Sequence, residues 1–204
     1  MNAFTAAPDS PAARAAVTVA REYLTPALLN HSIRSWLWAL GFAEVDGVTG
    51  VDEELLYVAA VLHDIGMIEP FDSHRTDFEF AGGHVASVLA AGAEWDDQRR
   101  AHLAAAIVAH MASGPVSEGG VEGRLLDVAT GLDISGARFD ALPRDYVVAV
   151  LDRYPRLDLA SDFAGRAIDQ AERKPESEAA RIVRNGVARK LLDNPLEPQP
   201  RSIQ

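Results

Sequence analysis

Helix-start signals recur along this chain with apolar residues at helical spacing between them, and that punctuation confines it to an all-α fold. Ser10-Pro11 and Thr25-Pro26 each place an N-cap hydroxyl before a proline at the first helical position, where the missing N–H is no loss. Ala16, Val19, Ala20 and Tyr23 mark a 3.6-period stripe on a first helix from Pro11 to about Leu24. A second, from Pro26 to about Phe42, sets Leu29, Ile33, Trp36, Leu37 and Leu40 on one side. His31, Arg34, Ser35 and Trp38 fall on another, partly polar face. Asp52 caps a third helix that closes at Asp64, and further helices are expected over 78–91, 97–111, 121–134, 144–154, 158–173 and 176–193. No β-branched alternation and no internal repeat interrupts the pattern. The expected architecture is a single-domain helical bundle over 11–193, with flexible ends at 1–10 and 194–204.

Composition narrows the partners. The formal charge is -11, so no basic stripe is available for nucleic acid or for an anionic membrane surface. Cysteine is absent, which removes disulfides and thiol nucleophiles. Every apolar run is cut by charges short of a membrane span, and the N-terminus lacks the pattern of a signal peptide. A cytoplasmic protein acting on a small molecule is the expectation; self-association into a homo-oligomer is left open.

The chemistry-bearing residues cluster at helix ends. Ala59-Ala60-Val61-Leu62 delivers His63-Asp64 at a helix terminus, and Ile65-Gly66 follows. That pair reads either as a polar helix end, with Gly66 in the left-handed C′ position, or as two metal ligands converging off the last turn. His31 stands among apolar neighbours, so burial demands either a hydrogen bond or a metal. Asp133, where the sixth helix yields to a loop, is a third candidate; Asp127 faces elsewhere. His110 ends the apolar run Ala104 to Ala109, whereas His102 and His84 read as surface or packing residues, and His74 lies in a polar loop with Arg75.

In order, a helical histidine, a His-Asp pair closing a helix and a distant aspartate resemble the H…HD…D signature of the HD-domain metal-dependent hydrolase superfamily. Asn30 to Arg34, Leu62 to Gly66, Phe78 to Gly83, Ala106 to His110 and, less sharply, Tyr154-Pro155-Arg156 with Phe163 resemble the cyanamide hydratase-like branch. The chain departs from the fungal hydratases after Gly66, at Met67-Ile68 and at the segment Asp72 to Arg75. The resemblance implies one divalent metal held by His31, His63, Asp64 and Asp133, with zinc expected and iron, manganese or nickel as alternatives. Such an ion lowers the pKa of bound water to about 7. The leading expectation is hydration of a small nitrile-like compound, cyanamide to urea in type. His110 is expected to move the proton with Asp64 beside it, Glu79 is second in line, and Trp36 and Trp38 would form an apolar cup. The alternative is hydrolysis of a nucleotide or other phosphoester, with Arg34 or Arg75 on phosphate oxygens and His74 on the pocket rim. A third expectation is a non-catalytic domain stapled by the metal.

Overall fold

The computed structural model describes residues 5–112 and 119–197, and among them every regular element is helical. In chain order these are α1 (Pro11–Tyr23), α2 (Pro26–Val45), α3 (Glu53–Leu62), α4 (Phe78–Gly92) and α5 (Asp97–Ala109). After them come α6 (Gly120–Ser135), α7 (Arg144–Arg153), α8 (Leu159–Arg173), α9 (Glu178–Arg184) and α10 (Val187–Leu192), with 3-10 turns at Ile65–Met67 and Phe139–Ala141. The expected caps form: Ser10 Oγ accepts from the Ala13 amide at 3.1 Å, Thr25 Oγ1 from Leu28 at 3.2 Å and Asp52 Oδ1 from Leu55 at 3.0 Å. Each satisfies an amide that has no partner within its helix, worth about 1 kcal/mol.

The bundle is assembled around α3. Every residue from Leu55 to Leu62 is buried, and α1, α2, α5 and α6 pack against it. A helix apolar on all sides has no solvent face, so its end must open onto protein or onto a cavity. Whatever follows Leu62 is therefore held inside the molecule.

The turn after α3 is set by close approach to α4. A Cβ on Gly66 would lie 2.1 Å from the Phe78 carbonyl oxygen and 2.8 Å from the Gly82 amide nitrogen. Gly66 is not in the left-handed region, contrary to the C′ reading; the glycine is needed for the space its missing side chain leaves.

Two expectations about the C-terminal part are corrected. The single helix over 176–193 is two, because Gly186 adopts φ 75° and turns the chain between α9 and α10. The expected flexible tail is anchored as far as Glu197: Asn194 Nδ2 donates to the carbonyls of Leu132 and Asp133 at 3.1 and 3.0 Å, and Leu196 is buried. Residues 113–118, which include the Ser113-Gly114-Pro115 stop expected after the fifth helix, lie outside the described residues, as does 198–204. Among the described residues no helix is long and apolar enough to cross a membrane.

Candidate metal centre

Two buried helices deliver the three ligand groups. His31 projects from the second turn of α2, and His63 and Asp64 follow the buried α3; none exceeds 1% exposure. His31 Nε2 lies 3.1 Å from His63 Nε2 and 3.4 Å from Asp64 Oδ2, and His63 Nε2 lies 3.1 Å from Asp64 Oδ2. Donors held tetrahedrally at about 2.0–2.2 Å from one ion stand roughly 3.3–3.6 Å apart, so the triangle is within a few tenths of an ångström of a zinc-sized site.

The chemistry of the donors agrees with their spacing. His63 Nδ1 donates to the Ala60 carbonyl at 2.8 Å, and His31 Nδ1 donates to Asp133 Oδ2 at 2.7 Å. Both neighbours only accept, so each Nδ1 carries the hydrogen and both Nε2 lone pairs turn toward the same point. Asp64 Oδ1 and Oδ2 are buried with no hydrogen-bond partner. Lone pairs and an unpaired carboxylate facing each other in a dry interior require a positive charge between them. Burial works to lower the His31 pKa, but the carboxylates of Asp133 and Asp64 outweigh it and raise it, a proton taking the place a cation would fill. A divalent ion fits these residues.

Asp133 does not join the triangle, which corrects its expected role as a ligand. Its carboxylate lies behind His31 and is already saturated: Oδ1 accepts from Arg34 Nε and Trp38 Nε1, each at 2.8 Å, and Oδ2 from Arg34 Nη2 at 2.6 Å and from His31. Arg156 Nη1 adds a bond to its carbonyl at 2.6 Å. Burial opposes ionisation of Asp133, yet the Arg34 charge and these bonds hold its pKa well below the usual carboxylate range. An oxygen already committed to a guanidinium has no lone pair to spare for an ion in front of the imidazole. Asp133 instead fixes the orientation and tautomer of a metal-binding histidine, as outer carboxylates do in many metal sites.

The same contacts correct the substrate-binding assignments of Arg34 and Trp38. Arg34 is wholly buried, spends Nε and Nη2 on Asp133, and gives Nη1 to the carbonyls of Tyr154 and Pro155 at 3.0 and 3.1 Å. Trp38 is equally buried and packs edge-on to Tyr146, while Trp36 packs on Tyr57; neither forms a cup over the ligands. His74 and Arg75 are exposed and do not line the cavity beside His31, His63 and Asp64.

That cavity has a volume of about 190 Å³. His31, His63, Asp64 and His110 form its floor. His110 caps α5; its Nδ1 donates to the Ile107 carbonyl, and its Nε2 stands 3.9 Å from Asp64 Oδ1. Burial is the main cause that pushes its pKa down to about 3, so the ring is neutral with the Nε2 lone pair available. Glu79 is elsewhere: it is buried in the first turn of α4, Oε2 has no partner, and burial lifts its pKa to about 7, but it does not line the cavity. Its expected part in proton transfer is not supported by this position.

Several lining residues were not assigned to the site from sequence, among them Phe163, named there only in a family-like block, and Asp127, expected to face elsewhere. Thr130, Ile134 and Phe163 form walls, and α9 and α10 supply Arg181, Asn185, Val187 and Lys190. The Asn185-Gly186 dipeptide, a turn signal, was the available clue that one helix was two and that the bend could shape a rim.

Comparison with known proteins bears on this arrangement. The HD domain family matches residues 28–157. Two curated relatives from Saccharomyces cerevisiae, cyanamide hydratase DDI2 and cyanamide hydratase DDI3, are each 30% identical over 171 residues, covering 82% of this chain and 76% of the relative.

Proposed function

The chain belongs to the HD domain family, in its cyanamide hydratase-like branch, and from that premise we propose that it adds water to a small nitrile-like compound, as in cyanamide to urea. At the coarser level it is a metal-dependent hydratase or hydrolase. The observation that carries the finer reading is a neutral, buried His110 lone pair beside a three-ligand triangle that opens onto a cavity. Three protein ligands with an open position are the arrangement of catalytic rather than structural zinc sites, which argues against a mere staple. Zinc is the expected ion.

When bound, the ion supplies a Lewis acid that polarises the substrate and acidifies water at the open position. His31, His63 and Asp64 fix where that position points. His110 Nε2 takes one proton as the water oxygen bonds to the nitrile carbon. An imidazolium with so low a pKa is a strong acid, so it passes the proton to nitrogen, and a second shift from oxygen to nitrogen completes the amide. The apolar walls exclude competing water.

Phosphoester hydrolysis is less well supported. Arg34, the cation nearest the ligands in sequence, is committed to Asp133, and among the described residues only one group of potential ligands is found. The test is to incubate zinc-loaded protein with cyanamide and, in parallel, with a panel of phosphoesters. Urea formation without phosphate release is expected; phosphate release without urea overturns the reading.

A further inference from the structure

The cavity is graded from floor to mouth. His31, His63, Asp64 and His110 are buried; Ile134 and Ile182 are half-buried, and Phe163 and Val187 close the walls between. Asp127, Ser135, Asn185 and Lys190 are exposed and mark the opening, with Arg181 just inside it. A molecule entering this space meets polar groups first, then an apolar sleeve, then the ligand triangle.

Size and charge both speak against cyanamide as the natural occupant. At about 190 Å³ the cavity has room for several water molecules. Cyanamide, among the smallest nitriles, fills only a fraction of it and touches the floor alone. The apolar sleeve then has no partner, and displacing water from it is where most of the binding energy of such a pocket resides.

The mouth carries charges of both signs, Arg181 and Lys190 with Asp127. Arg181 Nη2 donates to the Met111 carbonyl at 3.2 Å and its Nε is paired with Glu178, while its charge also faces Asp127. That accounts for Arg181. Among the described residues Lys190 has no ion-pair partner, and the neighbouring Asn185 offers an amide. Lys190 is therefore the one basic group lining the cavity that no carboxylate of the described residues engages within ion-pair distance.

Building on the hydration reading, we propose that the substrate is a short anionic nitrile: the nitrile carbon at the ligand triangle, an apolar linker along Ile134, Phe163 and Val187, and a carboxylate at Lys190 and Asn185. The reaction consumes one water per nitrile and yields the corresponding amide, the carboxylate passing through unchanged. The site thus discriminates by charge at the end remote from the chemistry.

The test compares 4-cyanobutanoate with 4-cyanobutanamide, which matches it in size but lacks the charge. Zinc-loaded protein is expected to favour the carboxylate about tenfold in kcat/KM. Calorimetry with the non-reacting amides, glutaramate against glutaramide, is expected to show a similar preference in Kd. Lys190→Gln, a surface change that leaves the core untouched, should cut that preference about fivefold, the scale of one exposed ion pair. Equal kcat/KM and equal Kd for the charged and neutral compounds, with cyanamide still hydrated, overturn this proposal and leave the hydration reading standing. Selective glutaramate binding lost in Lys190→Gln, without turnover of any nitrile, overturns both the proposed substrate and the hydration reading. Phosphate release from phosphoesters alone places the anion at the floor instead and overturns both.

Discussion

Asp133 Oδ2 lies 2.7 Å from His31 Nδ1, on the side of the imidazole facing away from the ligand triangle. The aspartate therefore acts on the ion through a histidine, and its own stability depends on Arg34. Asp133→Asn keeps the shape and removes the charge that sets the His31 tautomer. It should weaken zinc affinity about 10- to 100-fold, measured by competition with a chelator. Arg34→Met strands a buried carboxylate and should cost about 3–5 kcal/mol of folding stability in denaturant titration. If Arg34 served a phosphate instead, the protein would stay stable and lose only substrate affinity.

His110→Ala should retain zinc by elemental analysis and lose turnover by about 100-fold or more, the scale of a missing proton-transfer group. His102→Ala should retain zinc as well, because His102 lies remote from the triangle, 3.1 Å from Glu122. Loss of zinc from His110→Ala would make His110 a ligand.

Glu79 gives a pH signature separate from the metal. Its pKa is raised from 4.5 to about 7 in the fold, so between those values the folded chain binds more protons than the unfolded one. Its contribution to stability is thus fully present below 4.5 and falls as pH rises through about 7. Glu79→Gln should be more stable than the parent by about 1–3 kcal/mol at pH 8 and should converge with it near pH 4. Thermal melts across that range provide the check; parallel curves for the two proteins would contradict it.

Gly66→Ala should be among the most damaging small substitutions. The added methyl has backbone on both sides, Phe78 carbonyl and Gly82 amide, so no side chain can move aside. A loss of about 1–3 kcal/mol, as for overpacking elsewhere, is expected together with weakened zinc binding, since the turn carries His63 and Asp64. Unaltered melting and unaltered zinc affinity would show the turn to be more forgiving than its contacts imply.

Much of this was legible in the residues. Ser10-Pro11, Thr25-Pro26 and Asp52 announce helix starts, because a capping oxygen and a proline have few other uses in that order. His63-Asp64 at the end of a run without polar breaks announces a buried terminus. Periodicity does not say which neighbour a side chain meets, and that is where the reading of Asp133 failed: whether it turns to an ion or to Arg34 and Trp38 depends on α2 and α6 packing, which no spacing encodes. Arg34 and Trp38 sat on the polar face of α2 as expected, but that face turned out to clasp Asp133 and not to line the cavity. The α9–α10 rim depends on one left-handed glycine, a local signal outweighed by the helical pattern on both sides.

The most direct test is the anomalous difference density of crystals of the zinc-loaded protein. One peak is expected about 2.0–2.2 Å from His31 Nε2, His63 Nε2 and an Asp64 oxygen, open toward His110, with Asp133 behind His31 and outside bonding distance. A peak ligated by Asp133, or no peak at the triangle, would contradict this placement.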